Sequence, residues 1–215
     1  MSRGRVILFA GTVVGAIVLG TFLFAVTQAY LDRRKAEQLL AVLQQIQVGS
    51  TDRARALQMV SPLRSHSEEW TDRGLPALDL SFDNRALAWL KLAPYTSFRA
   101  SVVFKDGVVI KKHATEFVAR SGYAASVTET KRALRFSGES APSGYPNHIV
   151  HQNWTAPTVA RQIVIEDDET YGEVQRRDDW KFNLSCLTRF SGCWGANMIL
   201  PNIEPTTLAI SRDAQ

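Results

Sequence analysis

The two cysteines of the sequence, Cys186 and Cys193, are close enough along the chain to react with each other. With Gly192 between them to permit a tight turn, they are predicted to form a local disulfide. In the chain-entropy model such a short loop stabilises the folded state by about 2 to 3 kcal/mol. Because disulfides persist outside the cytosol, the pair favours an exported domain. Two buried free thiols are the alternative, since cysteine is among the most buried residue types. A zinc half-site is disfavoured, because no further cysteines and no well-spaced histidine pair lie beside the two.

Other patterns that could support catalysis or metal binding are weak. His148 and His151 form H-x-x-H, but on a strand they face opposite ways, and zinc needs at least three protein ligands. The acidic run 166–169 lacks the spacing of a calcium loop, and acidic residues before a helix N-terminus are favoured without any ligand. Ser140 lies in a partial nucleophile elbow in which Pro142 replaces the second glycine. We therefore predict no catalytic residue, no metal and no cofactor.

The charge pattern does not indicate nucleic-acid binding. The net charge is +4 and the isoelectric point is near 9.2, but basic residues are scattered among acidic ones. A nucleic-acid interface needs a basic stripe or a recognised motif, and the sequence has neither. Nucleic acid is therefore not an expected partner.

The segment Val6–Leu31 is 26 residues long and contains no charged side chain. As a helix it would be roughly 39 Å long, whereas the hydrocarbon core of a bilayer is about 30 Å thick. A cleaved signal peptide is the rival interpretation, but its apolar region usually has only about 7 to 15 residues. We predict that residues 6–31, after a short tail at 1–5, form an uncleaved transmembrane helix whose partner is the lipid bilayer.

Two further properties of the span follow from its sequence. Gly11 and Gly15 form a GxxxG match, the spacing at which two membrane helices approach closely, which makes this face the candidate surface for a homodimer. Basic residues flank the span on both sides, so the charge rule does not decide its orientation. The cysteine pair favours a domain that is periplasmic or extracellular.

A helical hairpin is predicted over residues 32–61. Leu39, Leu43 and Ile46 share one face of a first helix, Asp32 to Gln47, which is able to continue directly from the span. Gly49 is expected to end this helix, and Ser50 or Thr51 is expected to be the N-cap of a second helix through about Val60.

Residues 62–215 are predicted to form an α+β domain continuous with the hairpin. Asp106-Gly107 predicts a tight turn between strands 98–104 and 108–117, and residues 78–84 and 123–130 are typical of further strands. A short helix is expected over 85–92, a loop over 138–147, and a last strand over 161–165. Residues 171 to about 190 are expected to form a C-terminal helix whose end the disulfide staples. The expected fold is therefore an antiparallel sheet of about three to five strands with helices.

The segment Leu43 to Thr51 resembles the opening of the small outer-membrane lipoproteins that assist β-barrel assembly. In that family two helices precede a three-stranded antiparallel sheet, and residues 98–117 look like its hairpin. The resemblance covers about 32–130 and implies a helix pair and sheet in a bacterial envelope. This chain differs from the family in having a membrane helix instead of a lipidated cysteine, and in its added C-terminal region. That region, around Cys186 and Cys193, looks like uncharacterised bacterial membrane-anchored proteins.

The expected function is that of a single-pass, membrane-anchored envelope protein that binds a protein or peptide partner without catalysis. Two alternatives remain open. One is an envelope enzyme whose carboxylates or histidines meet only in the fold, and the other is a structural protein that self-associates through Gly11 and Gly15.

Overall fold

The structure is a computed structural model that describes residues 3–119, 123–132, 148–155 and 159–202. Five α-helices lie in these ranges: α1 Arg3–Gln45, α2 Arg53–Val60, α3 Arg85–Trp89, α4 Glu173–Asp179 and α5 Ala196–Ile199. The strands are β1 Ser67–Asp72, β2 Leu75–Asp83, β3 Thr96–Lys105, β4 Val108–Val118, β5 Tyr123–Thr130, β6 His148–Thr155 and β7 Val159–Asp168. The predicted loop over 138–147 lies outside the described residues.

Helix α1 joins the predicted span and the first hairpin helix without a break. Its 43 residues make a rod about 65 Å long. Over Ala10–Gln45 it is long and apolar enough to cross a membrane, and the rest of the chain buries only 6% of its apolar window. Large side chains from Val13 to Phe24 are exposed, whereas Ala25 and Ala29 are buried. The helix therefore has a free apolar half and a half that packs on the domain.

The packed half of α1 supplies one layer of the main core. Leu39, Leu43 and Ile46 are fully buried, as their spacing on one helix face predicts. The chain then turns at Gly49, whose φ of +84° favours glycine. Helix α2 begins after Asp52, whose carboxylate accepts a hydrogen bond from the Arg55 amide at 2.7 Å. Asp52, rather than Ser50 or Thr51, is thus the N-cap.

A seven-stranded mixed sheet forms the other layer, in the order β1-β2-β3-β4-β5-β7-β6. Neighbouring strands are antiparallel except β5 and β7, which run parallel. The fold is therefore α+β, but the expectation of three to five antiparallel strands is wrong. The predicted hairpin β3–β4 and strand β5 are present, and the last predicted strand is longer at both ends than 161–165.

The two additional strands, β1 and β6, lie at the edges of the sheet. β1 has the polar sequence SEEWTD and is largely exposed, so it lacks the apolar alternation of a half-buried strand. Its turn to β2 uses positive φ at Arg73 (50°) and Gly74 (85°). Arginine has no preference for that conformation, so the turn carries no Asn-Gly or Asp-Gly signal.

The predicted C-terminal helix is shorter than expected. α4 ends at Asp179, and Trp180 turns inward to become 1% exposed. Asn183 then accepts a hydrogen bond from the Ser185 amide and donates one to the Met198 carbonyl. The bond between Asn183 and Ser185 is a local alternative to helical hydrogen bonding, and the bond to Met198 ties this segment to residues 15 positions further along the chain. The acidic run 166–169 is also placed differently, since residues 166–168 complete β7 instead of preceding a helix.

The predicted disulfide between Cys186 and Cys193 is present, with 5.5 Å between the two Cα atoms. Both cysteines are fully buried in the main core, together with Trp180 and Leu187. The C-terminal segment therefore covers the same face of the sheet as α1 and α2. We call this the helical face, and the opposite side of the sheet the second face.

Candidate functional site

The second face carries a row of polar residues that run across five strands. Strand pairing places Asp79 opposite Ser101, Ser101 opposite His113, His113 opposite Thr128, and Thr128 opposite Glu166. Side chains directly opposite each other on adjacent strands lie close enough to interact. The row therefore brings together residues that are nearly 90 positions apart in the chain, from 79 to 166.

Four of the side chains on this face form a chain of hydrogen bonds. His113 Nδ1 lies 2.7 Å from Thr128 Oγ1, and His113 Nε2 lies 2.7 Å from Thr115 Oγ1. Thr115 Oγ1 lies in turn 2.9 Å from Ser126 Oγ. Both ring nitrogens are thus held by hydroxyl groups, which fix the plane of the imidazole.

The imidazole of His113 is uncharged at neutral pH. Burial, and to a smaller extent the positive charge of Lys111, lowers the pKa of His113 to about 4, while the negative charge of Asp72 opposes the change. A neutral imidazole donates from one nitrogen and accepts at the other. The hydrogen bonds along the chain are therefore able to point in either direction from donor to acceptor. The four residues therefore offer a neutral set of donors and acceptors.

A depression of about 550 Å³ opens over this hydrogen-bonded chain. We call it the second-face depression. Its polar lining includes His113, Thr115, Ser126 and Thr128, and its apolar lining includes Val103 and Val164. This volume is within the usual range of about 300 to 1,000 Å³ for ligand pockets, and such pockets combine apolar walls with a few placed polar groups.

Charges at the depression are balanced. Lys111 Nζ forms an ion pair with Asp72 Oδ2 at 3.3 Å, and Arg73 and Glu166 add one charge of each sign. In the same face, burial raises the pKa of Asp79, opposed by the positive charge of Arg99. The site therefore favours a polar but nearly neutral occupant over a strongly charged one.

A second group of buried charges lies on the helical face and fastens the layers together. Lys112 Nζ donates to the carbonyls of Leu43 and Ile46 at the end of α1, at 3.0 and 2.8 Å. It also lies 3.0 Å from Glu129 Oε2, and Arg176 of α4 bonds the other oxygen of Glu129. Burial lowers the pKa of Lys112, which the adjacent Glu129 charge opposes. This cluster satisfies helix-end carbonyls and is structural.

Glu116 is a further buried acid on the helical face. It is 0% exposed, and neither carboxyl oxygen has a hydrogen-bond partner among the residues that the structure describes. Strand pairing places it between Phe98 and Ala125. Burial alone raises the pKa of Glu116 well above its ordinary value, so the carboxyl is held in the neutral form.

The patterns that stand out in the sequence do not converge on the second-face depression. Cys186 and Cys193 lie in the core on the other side of the sheet, and His148 and His151 lie on the edge strand β6. Among the described residues, no group of three histidine, cysteine, aspartate or glutamate side chains is arranged to hold a metal ion. The signal for the depression was His-x-Thr in β4 and Ser-x-Thr-x-Thr in β5, a polar alternation with the period of a strand.

Comparison of the chain with protein-family models, curated proteins and solved structures finds no match. The similarity to the β-barrel-assembly lipoproteins therefore stays a prediction. The fold and the N-terminal helix define the class of molecule: an α+β domain on a helix that is long and apolar enough to span a membrane.

Proposed function

We propose that this chain is a single-pass, membrane-anchored protein of a cell envelope that binds a protein or peptide partner in the second-face depression. The observation that carries the proposal is the depression of about 550 Å³ over the His113–Thr115–Thr128 hydrogen-bonded chain. The proposed partner is a neutral polypeptide segment. Its amide groups would bond to the hydroxyls, and its apolar side chains would pack against Val103 and Val164.

Binding is favoured over catalysis by the chemistry of the same residues. A histidine with a pKa of about 4 is a weak general base at neutral pH. The hydroxyls of Thr115 and Ser126 lie within paired interior strands, where the backbone N–H groups bond to neighbouring strands. Within the described strands, this pairing leaves no free pair of N–H groups beside the two hydroxyls for an oxyanion hole.

The edge of the sheet at β1 is a weaker candidate for the same role. β1 is exposed, and Trp70 is 46% exposed. Three of its six residues, Glu68, Glu69 and Asp72, are acidic. Charged edge strands disfavour pairing with a second chain, so we assign the partner to the depression.

Export of the domain is the second part of the proposal. It is supported by the Cys186–Cys193 disulfide, because cysteine thiols are kept reduced in most cytosolic proteins. The free apolar half of α1 supports anchorage. Self-association through Gly11 and Gly15 remains a separate prediction, and open space surrounds both glycines within the single chain.

Site-specific photo-crosslinking in intact cells tests the binding proposal. A photoreactive residue in place of Thr130, which lines the depression, should give a discrete adduct with one partner. The same residue in place of Gln58, exposed on α2 beyond the other face, is the matched control and should not give that adduct. Filling the depression with Thr128→Trp should abolish the adduct at position 130.

Equal adducts from positions 130 and 58, or an adduct that survives Thr128→Trp in a folded protein, would contradict the proposal. Turnover of a peptide or ester that His113→Gln abolishes would instead favour the enzyme alternative. Circular dichroism of each variant in detergent separates these outcomes from simple unfolding.

A further inference from the structure

We propose that a pocket between α1 and α3 binds the headgroup of a zwitterionic, amine-bearing bilayer phospholipid. This site lies apart from the second-face depression. It rests on the proposed membrane anchorage by α1, and not on the proposed peptide partner. Its lining includes Gln28, Asp32, His66, Asp83, Arg85 and Trp89, and its volume is about 510 Å³.

The depth of the pocket follows from the length of α1. A straight helix that enters the hydrocarbon at Val6 crosses about 30 Å in about 20 residues, so it leaves near Ala25, or near Gln28 with a tilt of about 30°. The headgroup region adds roughly 5 to 7 Å on each side. With the tilted exit near Gln28, both Gln28 and Asp32, which line the pocket, lie at the level of the headgroups.

Contacts of the domain with α1 are a second, independent indication of where the bilayer surface lies along the helix. Ala25 and Ala29 pack against Leu87 of α3 and Ala93, although both alanines lie within the uncharged stretch of 26 residues. The ring of Phe190 stacks on Phe22 at 6.3 Å, one turn deeper. The domain is thereby held directly against the bilayer surface, with no linker between them.

Aromatic side chains on this rim suit a membrane interface. Trp89 at the end of α3 is 78% exposed and Phe190 is 50% exposed. Tryptophan is enriched at the level of the lipid headgroups, where its ring contacts acyl chains and its N–H reaches water. Trp89 therefore has a physical reason to be exposed at this position.

The pocket also offers partners for both charges of a zwitterionic headgroup. Asp32 is 9% exposed, and Gln28 Nε2 donates to both of its oxygens at 3.1 and 3.2 Å. No ion pair to Asp32 occurs within the described part of the chain, so its charge is available to an ammonium group. Trp89 adds an aromatic face for that cation. Arg85, paired to Asp83 at 3.0 Å with its side chain 80% exposed, has further N–H groups for a phosphate.

Native mass spectrometry of the full chain in detergent micelles tests the assignment. The probe is an equimolar mixture of dioleoyl phosphatidylethanolamine and dioleoyl phosphatidylglycerol. We expect phosphatidylethanolamine to be retained about tenfold more than phosphatidylglycerol, a difference equivalent to about 1.4 kcal/mol in binding free energy. Asp32→Asn should remove this preference, whereas Asp106→Asn, at the exposed β3–β4 turn, should retain it. Arg85→Gln, a substitution at an exposed position, should lower retention of both lipids.

Equal retention of the two lipids by the unmodified chain, or a preference unchanged in a folded Asp32→Asn variant, would overturn the headgroup site. Alkaline carbonate extraction of membranes separates this failure from a failure of anchorage. A chain that stays in the pellet but shows no preference overturns the site alone. A chain that is extracted overturns the anchorage and the site together.

Discussion

His113 and Glu116 lie three residues apart on β4, and burial shifts their pKa values in opposite directions. Burial disfavours the charged form in both cases, which lowers the pKa of a base and raises that of an acid. His113 lies on the second face within a hydrogen-bonded chain, whereas Glu116 lies on the helical face with no hydrogen-bond partner in the described part of the chain. The two residues therefore make opposite contributions to the pH dependence of stability.

Stability should rise with pH through the titration of His113. The pKa of His113 is about 4 in the folded chain and near 6.5 when unfolded, so the unfolded chain binds more protons between these values. The gain amounts to at most about 3 kcal/mol between about pH 4 and pH 6.5. His113→Gln should lose this part of the dependence, as measured by denaturant unfolding at several pH values. An identical slope in both proteins would contradict the assigned pKa.

Glu116 should destabilise the fold as the pH rises above its ordinary pKa of about 4.5. Above that value the unfolded carboxyl loses its proton while the buried one keeps it, so the stability present at low pH is progressively lost. Glu116→Gln should therefore be more stable than the unmodified chain at pH 8 by more than about 1 kcal/mol, with little difference at pH 4. Glu69→Gln, on the exposed strand β1, is the control and should change neither value. A less stable Glu116→Gln at pH 8 would indicate a charged, partnered carboxylate.

At the scale of the elements, turn chemistry decided which strands could be predicted. Asp106 (φ 51°) and Gly107 (φ 77°) form the turn of β3–β4, and aspartate before glycine suits this conformation. Arg73-Gly74 adopts the same geometry between β1 and β2 without a sequence preference for it. The hairpin was therefore predictable and β1 was not.

The buried face of a helix was predictable from spacing along the chain, whereas a helix end that depends on distant residues was not. The face of α1 that carries Leu39 and Leu43 follows directly from their spacing. The end of α4 depends on Asn183, whose bond to the Met198 carbonyl spans 15 residues. The second-face depression likewise depends on the pairing of β4, β5 and β7, and spacing along the chain does not fix that register.

Lys112 connects three elements, and its removal should loosen all of them. The ammonium group bonds to the end of α1 and to Glu129 of β5, and it lies 4.8 Å from the centre of the Trp180 ring. Lys112→Met leaves Glu129 with Arg176 alone and leaves two buried carbonyls without this donor. Breaking a buried pair from one side costs about 3 to 5 kcal/mol. The midpoint of urea unfolding should fall accordingly.

The matched control for this variant is Lys105→Met, on the exposed end of β3. It should change the free energy of unfolding by less than about 0.5 kcal/mol. A Lys112→Met variant as stable as this control would mean that the buried cluster contributes nothing to holding α1 on the sheet.

At the scale of the whole molecule, α1 is both the apolar segment and a structural element of the domain. Its free half has the length and composition of a membrane span, and its other half packs in the main core with Lys112 bonded to its end. In the proposed membrane-anchored protein, a domain joined in this way would hold one orientation on the bilayer. The second-face depression would then keep a fixed position relative to the membrane surface.

The central claim of anchorage with an exported domain is tested most directly by thiol labelling in intact cells. A cysteine is introduced at exposed Gln58 in one variant and at Ser2 in another, with the Cys186–Cys193 disulfide left intact. With a membrane-impermeant maleimide, we predict that Gln58→Cys is labelled without lysis and that Ser2→Cys is labelled only after lysis. The unmodified chain should not react under either condition, because its two cysteines are oxidised and buried. Labelling of Ser2→Cys in intact cells, with Gln58→Cys protected until lysis, would place the domain in the cytosol and contradict the account.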